Sequence, residues 1–245
     1  WNILALTFTN KAAREMKERV GKIVGEQCAR RLFMGTFHSI FSRILRTEAQ
    51  TLNYTSSFTI YDDADSRSLI KAIIKELGLD DKVYKPATVA NRISMAKNHL
   101  ILPTQYAADH EVRQRDREQR MPSIYKIYSS YQVHLQQSNA MDFDDLLVNT
   151  FLLFRDHSEI REKYASKFQY ILVDEYQDTN SVQVSIVRQL SEVNQRVCVV
   201  GDDYQSIYSF RGANIDNILD FQKKFPHTKL FKLERNYRST QRIVC

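Results

Sequence analysis

The chain has 245 residues, 43% of them apolar and 26% charged, with 35 Lys and Arg against 29 Asp and Glu and a formal net charge of +6. That mix suits one large folded domain or two modest ones and excludes a disordered polyelectrolyte. No apolar run approaches the ~18–20 residues of a membrane span, no signal peptide precedes the first strand-like run, and three cysteines without a CxxC pair (Cys28, Cys198, Cys245) exclude a disulfide framework or zinc site and point to a reducing, cytoplasmic setting.

The charge is unevenly spread. Residues 1–50 carry +5 and residues 221–245 carry +6, which leaves −5 for the 170 residues between. Two basic ends around an acidic middle point to a polyanion as partner. The chain begins at Trp1, already inside a strand-like run, and reads as an excised piece.

In chain order, the apolar run 3–8 predicts a buried parallel strand. Asn10 then caps a helix through Ala12, Ala13, Met16 and Val20, with Gly21 as its stop. A second strand covers 32–34 and ends at Gly35, and a helix follows with Ile40, Phe41, Ile44 and Leu45 on one face. From Asp65 the pattern is helical, with Leu69, Ile70, Ile73, Ile74 and Leu77 on one face and Gly78 closing it. Further helices are predicted over 88–98, 124–136 and 143–154, and the mixed charge run 111–120 reads as a solvated helix or loop. Strand 170–173 runs into Asp174-Glu175, a helix carries Val182 to Leu190, and strand 197–200 runs into Gly201-Asp202-Asp203. A last strand is predicted over 229–233, before Asn236-Tyr237-Arg238. Strands alternating with helices at both ends define a parallel α/β sheet, interrupted by an all-helical insertion over 56–164.

The chemistry-bearing residues stand at the ends of these strands. An apolar strand ending in Asp174-Glu175 matches the Walker B arrangement: the first carboxylate serves Mg²⁺, the second orients or deprotonates an attacking water. By itself such a pair is also an ordinary turn after a strand. Gln205, in Gly201-Asp202-Asp203-Tyr204-Gln205, is a neutral amide suited to sensing a γ-phosphate, and Arg238 with Tyr237 offers a cation for phosphoryl charge and an aromatic face for a base. No GxxxxGK followed by Ser or Thr occurs anywhere, so tight ATP binding by these residues alone is not expected. A second set suits single-stranded nucleic acid: Phe8, Thr9 and Asn10; Thr36, Phe37 and His38; Tyr208, Phe210 and Arg211. Hydroxyls and helix-terminal amides suit backbone phosphates, and exposed aromatics stack bases. Any one of the three Phe rings equally suits a core.

Taken in order, these segments resemble the UvrD/PcrA/Rep group of superfamily 1 DNA helicases over essentially the whole chain. Ala5 to Ala13 is similar to motif Ia, Gly35-Thr36-Phe37-His38-Ser39 to motif Ib, and Asp142-Phe143-Asp144-Asp145-Leu146 to the short motif before the Walker B strand. Asp174 to Asn180 resembles motif II, Gly201 to Gly212 motif III, and Asn236 to Thr240 motif IV. Two positions depart from the family: Tyr204, where relatives carry an acidic or small residue, and Phe210, where many carry Trp.

The resemblance implies a RecA-like P-loop NTPase domain (1–55 and 165–245) without its Walker A segment, interrupted by a helical 1B insertion (56–164). It implies Asp174 on Mg²⁺, Glu175 as catalytic base, Gln205 and Arg238 at the γ-phosphate and Tyr237 on the adenine. Phe8, Thr36, His38, Tyr208, Phe210 and Arg211 would line a single-strand track. The intact protein would be an ATP-dependent 3′→5′ helicase acting on single-stranded DNA and single/double-strand junctions, with repair or replication proteins as partners. The piece alone is expected to be inactive. The alternatives are the helicase subunit of a helicase–nuclease of the AddA or RecB type, or a non-catalytic DNA-binding or protein-docking module.

Overall fold

Four short runs rich in apolar residues pair into one parallel sheet in a computed structural model that describes residues 2–202 and 216–233. They are β1 (Ile3–Thr7), β2 (Phe33–Thr36), β5 (Tyr170–Val173) and β6 (Val197–Val199), in the order β2-β1-β5-β6. The register runs Leu4↔Phe33 to Thr7↔Thr36, Ile3↔Tyr170 to Leu6↔Val173, and Ile171↔Val197 to Val173↔Val199. All four carboxyl ends therefore lie on one edge of the sheet, the edge on which open α/β sheets bind ligands.

Helices α1 (Asn10–Val24) and α2 (Glu26–Arg31) link β1 to β2, and α3 (Phe37–Thr47) follows β2 directly. Thr9, rather than the expected Asn10, is the N-cap of α1: its Oγ accepts from the Ala12 N–H at 3.1 Å. Both residue types cap well, and here the chain leaves extended geometry at Thr9. Gly21 does not stop the helix, since no turn is required there. Gly25 does, at φ 86°, where an L side chain is strained.

The middle of the chain holds α4 (Asp63–Glu76), α5 (Pro86–Asn98), α6 (Pro103–Ala108), α7 (His110–Glu118) and α8 (Ile124–Gln137). It is not wholly helical as expected. Strands β3 (Thr59–Tyr61) and β4 (Ala140–Asp142), three residues each, pair in parallel and flank this group in the chain. Such short strands carry too little alternation to be read against their helical surroundings. Ile70, Ile73, Val89, Ile93, Ile124, Tyr128 and Leu135 build a hydrophobic core here that is separate from the core under the sheet.

Helices α9 (Phe143–Asp156), α10 (Ser158–Lys167) and α11 (Ser181–Ser191) add Leu146, Leu153, Tyr164, Ile186 and Leu190 to the sheet's own core with Leu4, Leu6, Phe41, Ile171 and Val173. The short helices α12 (Asp216–Leu219) and α13 (Phe221–Lys224) follow. The strand expected over 229–233 does not form: Leu230, Phe231 and Leu233 are exposed, and the segment pairs with no strand among the described residues. An apolar run becomes a strand only where an edge receives its backbone groups.

Candidate functional site at the carboxyl edge of the sheet

Beyond Val173 the ladder continues for one residue, with the Asp174 N–H on the Leu6 carbonyl at 2.9 Å, and then breaks. Glu175 turns into the left-handed region (φ 52°, ψ 45°), an uncommon conformation for a side-chain-bearing residue. Three bonds hold it there. The Asp178 N–H donates to the Glu175 carbonyl at 2.9 Å, and the Tyr176 N–H donates to the Val200 carbonyl at 2.9 Å. The third comes from Gln177, buried to 1% exposure: its Nε2 donates to Glu175 Oε2 at 2.8 Å.

The same Gln177 amide accepts from the Asp202 N–H at 3.0 Å through Oε1, so one side chain ties the acidic pair to the segment after β6. Gly201 makes this approach feasible: a Cβ there would stand 2.6 Å from Gln177 Oε1 and 2.7 Å from Ile218 Cδ1. A 3-10 turn (Tyr176–Asp178) and a bond from Thr179 Oγ1 to the Tyr176 carbonyl at 2.6 Å carry the chain to Asn180, the N-cap of α11.

The electrostatics of this turn favour a cation. Burial first, then the charge of Glu175, pushes the carboxyl of Asp174 above the usual carboxylate range, and the same two causes act on Asp178. Asp178 Oδ1 is buried without a hydrogen-bond partner, as is the hydroxyl of Thr7 at the end of β1, one residue beyond the Leu6↔Val173 pair. Among the described residues no group of three or more His, Cys, Asp or Glu can hold a metal unaided. One or two carboxylates completed by phosphate oxygens and waters is, however, the usual setting of Mg²⁺, and the acids of this turn fit it. A hollow of about 390 Å³ lined by Ile3, Tyr170, Gln195 and Val197 lies at the amino ends of the strands, away from this chemistry.

The residues expected on nucleic acid follow β1 and β2 on the same edge. Thr9 and Asn10 are exposed, and Phe8 is half-buried with its ring 5.5 Å from that of Phe37. Thr36 caps α3, its Oγ accepting from the Ser39 N–H at 3.2 Å. Phe37 is a correction to the expected track: at 1% exposure it packs on Phe41 in the core and offers no face to a base. His38 is half-buried, 5.5 Å from the ring of Phe143. Phe143 itself, 54% exposed at the first position of α9, extends the aromatic row, although sequence reading gave it no role. Gln177 and Asp178 were likewise without a role, and their spacing two and three residues after Glu175 was the available signal. Gln205, Tyr208, Phe210, Arg211, Tyr237 and Arg238 lie outside the described residues.

A parallel sheet with an acidic pair ending a central strand, and aromatic and hydroxyl side chains at the ends of its neighbours, belongs to the RecA-like α/β class. A family model described as the UvrD/REP helicase N-terminal domain matches residues 1–226, and the chain belongs to that family. Similar proteins named ATP-dependent DNA helicase PcrA occur in Bacillus subtilis strain 168 (48% identical over 244 residues), Staphylococcus aureus strain NCTC 8325 / PS 47 (47% over 244) and Leuconostoc citreum (43% over 246). Each match covers 100% of this chain and 32% of the relative, so the chain spans about a third of the length of these relatives.

Proposed function

We propose that this chain is the hydrolytic and strand-binding part of an ATP-dependent DNA helicase that moves 3′→5′ along single-stranded DNA and opens duplex at single/double-strand junctions. The observation that carries the reading is the clip of Gln177 on Glu175. A carboxylate after the Walker-type strand is held in one orientation, on a backbone fixed by two further hydrogen bonds, beside two acids that favour a cation. In this reading Glu175 accepts the proton of the water that attacks the γ-phosphorus, Asp174 would hold Mg²⁺, and Asp178 would add negative charge to the same turn. Bound Mg²⁺ neutralises charge on the phosphate oxygens.

Gln205 and Arg238 read and stabilise the γ-phosphate, and Tyr237 stacks on the adenine. Phe8 and Phe143 stack bases while Thr9, Asn10 and His38 face the backbone, together with Tyr208, Phe210 and Arg211; Thr36, buried with its hydroxyl capping α3, serves the track through the start of that helix. Asn10 and Thr9 at the start of α1 add the helix N-terminus to phosphate recognition. Residues 1–55 and 165–245 form the RecA-like domain and 56–164 its insertion; the separate core around Ile73, Ile93 and Tyr128 supports an insertion in the middle of the chain, although α9 and α10 at its end pack into the sheet's core. Partners would be repair or replication proteins of the cytoplasm. Among the described residues no helix is long and apolar enough to cross a membrane.

The test is hydrolysis of ATP by the full-length protein with and without single-stranded DNA. Strong stimulation by DNA is expected, and none from these 245 residues alone, which hold no GxxxxGK followed by Ser or Thr. Hydrolysis indifferent to DNA would refute the coupling of the two sites.

A further inference from the structure

Two asparagines 82 positions apart join a helix of one core to a helix of the other. Asn180 uses both ends of its amide: Oδ1 accepts from the Gln183 N–H at 2.9 Å and caps α11, while Nδ2 donates to Asn98 Oδ1 at the end of α5. Asn98 in turn donates from Nδ2 to Asp144 Oδ1 at 3.1 Å and to the Ser94 carbonyl at 2.9 Å. Its neighbour Lys97 is buried to 1% exposure with its ammonium 2.7 Å from both Asp142 Oδ2 and Asp145 Oδ1. The end of α5 is therefore anchored, and Asn98 presents its carbonyl oxygen from a fixed point.

Asn180 is five residues after Glu175, and the left-handed backbone of Glu175 persists only if the segment is held at both ends. Gln177 holds one end on Asp202, and the Asn98–Asn180 bridge holds the other. A neutral amide suits this place, because it donates and accepts without adding charge near Asp174, Glu175 and Asp178.

We propose that Asn98 is a positioning residue for Glu175, acting through Asn180; the proposal rests on the reading of Glu175 as the base. The test uses the full-length protein. Asn98→Ala removes the acceptor, and Asn180→Ser keeps a capping oxygen while removing the donor. Each is expected to lower kcat for ATP hydrolysis about fivefold with KM for ATP within about twofold, the loss of one part-buried hydrogen bond read in the barrier. The double variant is expected to be no slower than the slower single one, since the shared bond can be lost only once, while Asn98→Ala also releases Asp144 and Ser94. Amide hydrogen exchange over 175–178 is expected to speed up in both. Asn98→Ser is the second variant should Asn98→Ala fail to fold. Unchanged kcat, losses that multiply in the double variant, or unchanged exchange would overturn the proposal. Hydrolysis that survives Glu175→Gln would overturn the reading of Glu175 instead, leaving hydrogen exchange to decide the bridge.

Discussion

Replacing Lys97 by Met removes a buried cation and keeps the volume of its side chain. The ammonium bridges Asp142 and Asp145 at 2.7 Å each, and both acids are buried. Tyr131 Oη donates to Asp142 Oδ2 at 3.0 Å and Gln132 Nε2 to Asp145 Oδ1 at 3.1 Å. Burial alone would lower the Lys97 pKa, but the two carboxylates outweigh it and hold it well above the ordinary lysine value. Asp142 is likewise penalised by burial, yet the charge and hydrogen bond of Lys97 bring it below the usual range. Asp145 is pushed up to about 6, by burial and then by Asp142.

Removing one partner of such a buried group costs about 3–5 kcal/mol, and at ~2–4 °C per kcal/mol for a chain of this size the melting temperature should fall by roughly 10 °C at pH 8. The pH dependence has a definite sign. Asp145 has a raised pKa in the fold, so its contribution to stability is present below its unfolded value and lost as pH rises through about 6. At pH 5 Asp145 is largely protonated and needs the cation less, so the Lys97→Met penalty should shrink. Thermal unfolding of both chains at pH 5 and pH 8 checks this. A penalty below about 1 kcal/mol at pH 8, within the range of a surface ion pair, would refute the reasoning, and so would one equal at the two pH values.

Phe8→Ala should weaken binding of labelled single strands by about 1–3 kcal/mol in an anisotropy titration with little effect on melting, whereas Phe37→Ala should cost about 3–5 kcal/mol of stability. Equal effects of the two on melting would place Phe8 in the core. Gly201→Ala puts a methyl 2.6 Å from Gln177 Oε1, so hydrolysis should fall about as far as in Gln177→Ala; a fully active Gly201→Ala would show the clip to be dispensable. Asp178→Asn should raise the melting temperature at pH 8 and leave it unchanged near pH 4. The native pKa of Asp178 is raised, so the fold carries a penalty only where that carboxyl is ionised. A variant less stable than the parent at pH 8 would contradict this.

Much of the sheet was legible because buried parallel strands are short apolar runs, and the acidic pair because it ends one of them. Local ambiguity produced the misreadings: adjacent Thr9 and Asn10 can both cap, and Gly21 is tolerated inside a helix when Gly25 supplies the turn. The run over 229–233 has the composition of a strand but joins neither described sheet. Phe37 and Phe8 carry the same side chain one strand apart, and only packing separates the buried ring from the half-exposed one. Lys97 and Asp142 are 45 positions apart and Asn98 and Asn180 are 82, and no periodicity announces such pairs. The clip of Gln177 on Glu175 is local, yet it depends on the left-handed turn, which an Asp-Glu-Tyr-Gln string does not reveal.

The central claim is that Glu175 is the base at a nucleotide site on this edge. It is tested most directly by Glu175→Gln in the full-length protein, with nucleotide affinity and single-turnover hydrolysis measured on the same preparation. Loss of turnover by about 10²-fold or more, with nucleotide affinity and single-strand binding retained, is the result predicted for removing one proton acceptor. Turnover within a few-fold of the parent would contradict it.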